Sequence, residues 1–165
     1  MKSSDKCKAM IKHHEGVRAK PYRCPAQLWT IGVGHVLYPE QAKLPVWTGG
    51  AAEGTRMAWA LRHEHHRTFS PDEVDQILAA DLRRFENGVV RMCPGDLTQG
   101  QFDALVCFSF NLGLGGLQRS SVRMCTNRGD KEGAVRGLMK YTKAGGKELP
   151  GLVKRRKDEA SLYMS

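Results

Sequence analysis

The spacing of hydrophobic and polar positions changes several times along the chain, and each change predicts an element. Cys7, Met10 and Ile11 recur at helical spacing behind Ser3 and Ser4, either of which suits an N-cap, and Glu15-Gly16 marks the end of this first helix. From Lys20 to Leu37, short extended pieces are punctuated by Pro21, Pro25, Gly32 and Gly34. This predicts a small antiparallel sheet with Cys24 in its first turn and Thr30 on the next strand. Residues 39–56 contain Pro39, Pro45 and the run Thr48-Gly49-Gly50-Ala51-Ala52-Glu53-Gly54-Thr55 and read as a mobile loop, with a short helix expected from Met57 to about His65.

Ser70-Pro71-Asp72-Glu73 combines a cap, a first-turn proline and a capping-box glutamate. Val74, Ile77, Leu78, Leu82 and Phe85 then hold one face until Asn87-Gly88, where the pattern stops. Beyond it the chain reads as shorter helices. Thr98 with Gln101 starts one that breaks between Asn111 and Gly116, Ser120 or Ser121 starts the next, Asp130 caps a third, and Pro150 opens the last, through Tyr163. Strands confined to the first forty residues and followed by helices give an α+β architecture.

Composition narrows the partners. The chain has 165 residues and a formal net charge of +9, which favours a polyanion such as nucleic acid, a membrane surface or an anionic wall polymer. Only Lys154-Arg155-Arg156-Lys157 forms a basic run. Without an aromatic platform it reads as a solvated helix face, and no nucleic-acid partner is expected. No stretch reaches the length of a membrane span, and the basic, polar N-terminus lacks the apolar centre of a secretory signal, so synthesis in a cytoplasm without membrane insertion is expected. The five cysteines (Cys7, Cys24, Cys93, Cys107 and Cys125) are widely spaced and form no Cys-x-x-Cys pair, so most are expected as reduced thiols. Cys107 and Cys125 lie among apolar residues and read as core, whereas Cys24 lies in a polar loop.

Candidate chemistry is concentrated between Glu15 and Thr30. An acid, a thiol at Cys24 and a hydroxyl at Thr30 follow at short spacing, and Ile31-Gly32-Val33-Gly34-His35 comes directly after, with glycines where a backbone can lie against a ligand. The carbonyl end of the first helix opposes a negative charge at Glu15 and favours the protonated acid. In isolation, so short a pattern of common residues is more often structural than catalytic.

With its flanks included, the pattern resembles the phage lysozyme family that includes the lysozyme of bacteriophage T4. In that family a Glu ends the first helix, an Asp or Cys follows after eight residues, a Thr after five more, and Ile-Gly-x-Gly-His comes next. The resemblance resumes at Ser70 to Asp81, at Phe110-Asn111-Leu112-Gly113, at Ser121, at Asn127-x-Gly129-Asp130, and from Gly145 to Arg156. It covers nearly the whole chain except residues 40–69. It implies a lysozyme-like unit over residues 1–165: an N-terminal lobe at 1–69 with an insertion at 40–69, a linking helix at 71–88, and a helical C-terminal lobe at 89–165, with the glycan held between the lobes.

The implied activity is hydrolysis of the β-1,4 bond between N-acetylmuramic acid and N-acetylglucosamine in bacterial peptidoglycan, with no cofactor and no metal. Glu15 is then the general acid, and Cys24 and Thr30 lie on the water side. If apolar groups wall Glu15, the acid both holds and gives a proton. A free thiol has a pKa of about 8.5 and is mostly neutral at pH 7, so it does not simply replace a carboxylate as base. Either Arg23 or Lys20 ionises part of Cys24, or Cys24 and Thr30 mainly position water. The family pattern carries over Gly34, Val36, Phe110 and Ser121 as substrate-binding residues and pairs His35 with Asp81 as a structural ion pair. A monomer is expected, acting on peptidoglycan glycan strands after release through a holin pore or delivery in a virion. A lytic transglycosylase and a non-hydrolytic peptidoglycan binder are the alternatives.

Three features read as structural. His63-Glu64-His65-His66 and His13-His14 suit helix surfaces better than a metal site, because no third ligand is evident. Trp29, Trp47 and Trp59 are core residues by default, and Trp47, beside the Gly-rich loop, is the best surface candidate.

Overall fold

A computed structural model describes all residues from Met1 to Ser165. In chain order it contains α1 (Asp5–Glu15), β1 (Arg18–Arg23), β2 (Trp29–Gly32), β3 (His35–Val36), 3-10 turns at Pro39–Lys43, Arg56–Ala58 and His63–His65, α2 (Pro71–Met92), α3 (Gln99–Arg119), α4 (Ser121–Asn127), α5 (Lys131–Leu138), β4 (Lys143–Ala144), β5 (Lys147–Glu148) and α6 (Pro150–Met164). This is the expected α+β class. The chain divides into two compact units, Glu15–Ala80 and Met1–His14 with Asp81–Ser165, and the division falls inside α2.

The unit formed by Met1–His14 and Asp81–Ser165 is helical. Its α3 is buried along nearly its whole first half, from Gly100 to Ser109, where Phe102 and Ala104 to Phe108 are apolar and the polar Gln101, Asp103 and Ser109 are hydrogen-bonded. Thr98 and Gln101 form the predicted capping box at its start. The helix break expected between Asn111 and Gly116 falls at Gly113, at φ 76 and ψ 160. The cap of α1 is Ser4, whose Oγ accepts from the Cys7 N–H at 3.3 Å. Ser4 also bonds Asp103 of α3 through both its backbone N–H and its hydroxyl, tying the two helices by a polar contact above the buried Cys7–Cys107 pair.

Several expectations fail here for local reasons. Gly88 does not end α2: a Cβ there would lie 2.3 Å from Leu114 Cδ2, so this glycine permits close packing, and the helix runs on to Met92. Strands are not confined to the first forty residues, since β4 and β5 pair antiparallel across Gly145-Gly146, both at positive φ as a tight hairpin turn requires. The basic run at 154–157 is not a solvated face. Arg155 and Arg156 are buried against Glu159, at 3.3 Å and 3.0 Å, and only Lys154 and Lys157 remain exposed.

The unit Glu15–Ala80 holds a three-stranded sheet in the order β1-β2-β3 and the first half of α2. The capping box at the start of α2 forms as expected: Glu73 N–H donates to Ser70 Oγ, Ser70 N–H donates to Glu73, and Arg67 grips the same carboxylate at 3.0 and 2.8 Å. Hydrogen bonding to Arg67 holds the Glu73 carboxyl down at about 2. The expected loop is present, with no helix or strand from residue 44 to 55, but the short helix expected from Met57 to about His65 is replaced by two 3-10 turns. Carbonyls of Arg56 and Trp59 in this segment accept from the Arg23 side chain of the sheet.

Burial pushes the Glu159 carboxyl up to about 7, while Arg156 and Arg155 pull the other way. At pH 8, where the group is ionised, Glu159→Ala removes a buried counter-charge from both guanidiniums. It should cost about 3–5 kcal/mol in urea unfolding.

Candidate active site

Glu15 is the last residue of α1, and Gly16, at φ 78, ends the helix by entering a conformation that only glycine adopts freely. The residue is exposed. Its neighbour His14 approaches Asp158 at 2.9 Å. Burial and Arg155 hold the His14 imidazole below its ordinary value despite that carboxylate. Near neutral pH the contact is therefore a hydrogen bond from neutral imidazole to Asp158.

Cys24 opens a tight turn after β1. Its N–H donates to Leu28 O at 3.0 Å, the Gln27 N–H donates back to Cys24 O at 2.7 Å, and Gln27 sits at φ 62. Burial opposes ionisation of the half-buried thiol. Hydrogen bonds from the backbone of Leu28, from the Thr30 side chain and from the backbone of Ala26 outweigh that penalty and bring the thiol below its ordinary value. Of the two readings left open for Cys24, ionisation by a neighbouring cation or positioning of water, the lowering comes first from these hydrogen bonds, and the Arg23 guanidinium also attracts the ionised thiol. The Thr30 hydroxyl, 2% exposed, also lies 3.0 Å from Leu28 O. It has one proton, so it donates to Leu28 O when Cys24 is a thiol and turns to the sulfur when Cys24 is a thiolate.

Sheet register sorts the remaining candidates. Tyr22, Thr30 and Val36 are cross-strand partners and share one face, whereas Arg23 with Trp29, and Ile31 with His35, share the other. Gly34, at φ 78, lies in the turn between β2 and β3. Glu15, Cys24, Thr30, Gly34, His35 and Val36 thus belong to one compact unit. Phe110, Ser121 and Asp81 belong to the other. Phe110 packs on Phe85 with ring centroids 5.2 Å apart, Ser121 is the first residue of α4 with Ser120 as its cap, and Asp81 lies on α2.

The Arg23–Trp29 face carries residues that the sequence did not single out. The Arg23 guanidinium stacks on Trp29 at 4.3 Å and donates to the carbonyls of Gln27, Arg56, Met57 and Trp59. Gln41, fully buried, accepts from Trp29 N–H and donates to Gln27 O and Arg56 O. Arg56 in turn donates to Leu44 O, Ala26 O and Ala42 O. Trp29 Nε1 donates to Trp59 O, so two of the tryptophans sit in this network, and Trp47 is held by its backbone to Gln27. Gln41 and Arg56 lie in polar sequence with no periodicity to mark them, and Arg23 was legible only as a charge beside Cys24.

No three His, Cys, Asp or Glu side chains converge in a group that could hold a metal ion. His65 bonds Tyr38 at 2.6 Å and His66 bonds Leu61 O at 3.1 Å. No helix is long and apolar enough to cross a membrane.

Residues 12–159 match the phage lysozyme family. The endolysin of Acyrthosiphon pisum secondary endosymbiont phage 1 is 31% identical, with 100% of this chain and 99% of that protein covered. The endolysin of Bacillus phage B103 is 32% identical over 94% of this chain, which spans about half (51%) of that longer protein. Among solved structures, a point mutant of P22 lysozyme is 26% identical with a TM-score of 0.78, covering 100% of this chain and 99% of that one. The muramidase domain of SpmX from Asticaccaulis excentricus is 28% identical with a TM-score of 0.75, covering 99% and 98%. Because the family match runs from the last turn of α1 to Glu159 in α6, and proteins of nearly equal length share the fold, the chain belongs to the phage lysozyme family.

Proposed function

We propose that this chain is a peptidoglycan-cleaving endolysin that hydrolyses the β-1,4 bond between N-acetylmuramic acid and N-acetylglucosamine. Glu15 acts as general acid, and Cys24 and Thr30 form the water side. The observation that carries this reading is the Cys24–Leu28 turn, closed by the Cys24 N–H to Leu28 O at 3.0 Å, which sets the thiol just ahead of the buried Thr30 on β2. It provides a thiol below its ordinary value at the spacing from Glu15 where the family places a carboxylate or a cysteine. The names of the relatives, endolysin and muramidase, support the same class of reaction.

The chemistry balances with these residues alone. Glu15 gives its proton to the glycosidic oxygen as the bond to the anomeric carbon breaks, and an oxocarbenium-like centre develops there. The Cys24 thiolate draws a proton from an attacking water, and the water oxygen forms the new bond to the sugar. Thr30, whose hydroxyl both accepts and donates, orients that water or holds the sulfur in its thiolate form. Turnover ends with proton exchange through solvent, which restores the Glu15 acid and the Cys24 thiolate. Gly34 and Val36 are the glycan-binding residues proposed on the sheet unit, and Phe110 and Ser121 those proposed on the helical unit.

Mass analysis of digested peptidoglycan identifies the bond and the product. Reducing muramic ends are expected, and anhydro-muramic ends would show a transglycosylase instead. Glu15→Gln should lower kcat by roughly a hundredfold to ten-thousandfold with little change in KM. If wild-type protein and Glu15→Gln both fail to clear a peptidoglycan suspension, the reading becomes that of a non-hydrolytic binder.

Cys24 gives a separate pH test, because it is only half buried and the other four cysteines are buried. Its depressed value means that alkylation by iodoacetamide in the native protein should rise with pH and level off below the range of an ordinary thiol. In urea the profile should return to that ordinary range, about 8.5. A native profile at or above the unfolded one would remove Cys24 as the base.

A further inference from the structure

Gln27 is the only non-glycine residue in the chain at positive φ, a conformation that a residue with a side chain keeps only where its surroundings fix it. Here they do. Its N–H donates to Cys24 O, its carbonyl accepts from Arg23 at 2.8 Å and Gln41 at 3.0 Å, and its side-chain amide exchanges two hydrogen bonds with the backbone of Trp47, at 2.8 and 2.7 Å. Arg56 pins the carbonyl of the preceding Ala26 at 3.0 Å.

These contacts bear on the sulfur through the planarity of the peptide group. In a trans peptide the Gln27 carbonyl and the Leu28 N–H point in opposite directions from one rigid plane. Two donors that fix the carbonyl of Gln27 therefore fix the peptide plane of Leu28, whose own carbonyl accepts from the Cys24 N–H at 3.0 Å to close the turn and whose backbone helps hold the thiol below its ordinary value. All the donors and acceptors that fix Gln27 from outside the turn, apart from Arg23, come from residues 39–59.

We propose that residues 39–59 brace the Cys24–Leu28 turn and that Gln27 is the positioning residue through which they orient Cys24. This rests on the reading of Cys24 as the water-side group. The segment is a support for the reactive turn. It works from the Arg23–Trp29 face of the sheet, opposite the face that presents Thr30 and Val36.

Two variants test it. Gln27→Gly removes the clasp on Trp47 while suiting the positive φ, so the backbone keeps a favourable conformation. In the second, residues 46–55 are replaced by a short Gly-Ser turn. Arg56 N–H already meets Pro45 O at 3.0 Å, so the ends of this excursion are adjacent and the replacement leaves Gln41 and Arg56 in place. Each variant is first checked for native helical signal and cooperative unfolding. Where Gln27→Gly fails to fold, the loop replacement decides.

The readouts are the pH profile of Cys24 alkylation and the division between kcat and KM on peptidoglycan. The alkylation midpoint should move up towards that of an ordinary thiol. kcat should fall by roughly tenfold to a hundredfold, with KM within about twofold of wild type. An unchanged midpoint in a folded variant overturns the proposal, even where kcat falls. Cys24→Ser with wild-type kcat would instead overturn the role of Cys24 in the reaction, and the midpoint shift in Gln27→Gly would still report the brace.

Discussion

The arrangement of the sheet unit depends on one constraint, that a buried carbonyl must find a donor. Residues 39–69 form no strand and no α-helix, so their carbonyls lack the regular partners that secondary structure supplies. Arg23, Arg56 and Gln41 meet this need, each bonding carbonyls from more than one stretch of chain. Arg suits the task because its planar fork carries several donors at fixed angles and cannot lose its charge. The fully buried apolar set of this unit is small, with Ile31, Tyr38 and Leu78 among its few members, so polar bonds take over ordering that an apolar core would otherwise supply.

What the sequence revealed follows from the range of the interactions involved. Helix starts were legible at Ser4, Ser70, Thr98 and Asp130, because a cap is a contact across three residues. The spacing of Glu15, Cys24 and Thr30 was legible for the same reason, and so was the strand-turn-strand pattern around Pro25 and Gly34. Gly88 was misread because its partner Leu114 lies on another helix, and a packing glycine and a capping glycine look identical in sequence. Arg155 and Arg156 were misread because burial of a charge depends on Glu159 one turn later and on packing that no charge run reveals. Gln41 and Gln27 were invisible. An isolated glutamine carries no periodic signal, and its role arises only when the chain returns to the sheet.

The two units treat buried charge differently. In the helical unit Glu159 lies against Arg155 and Arg156, and Asp103 is bound by Ser4, so opposite charges or hydroxyls offset burial. The net charge lies there as well, with nineteen Lys and Arg against ten Asp and Glu, whereas the sheet unit is balanced at seven against seven. In the sheet unit Arg23 is offset by carbonyl dipoles and the ring of Trp29, with no carboxylate involved.

This difference explains why Cys24 is set by hydrogen bonds although a guanidinium stands next to it in sequence. The negative ends of four carbonyls face Arg23 and offset part of its field, although the guanidinium and the ionised thiol still attract each other. The sulfur depends first on the donors nearest it, the backbone of Leu28 and Ala26 and the Thr30 hydroxyl. Such donors act over a few ångströms and only in a narrow geometry, so their effect depends on how rigidly the turn is held. A cation would tolerate a loose turn, but a set of peptide N–H groups does not. The irregular segment that satisfies Arg23 is therefore tied to the chemistry of the thiol: the same carbonyls and amides that order residues 39–59 hold the Cys24 turn in the conformation where its donors reach the sulfur.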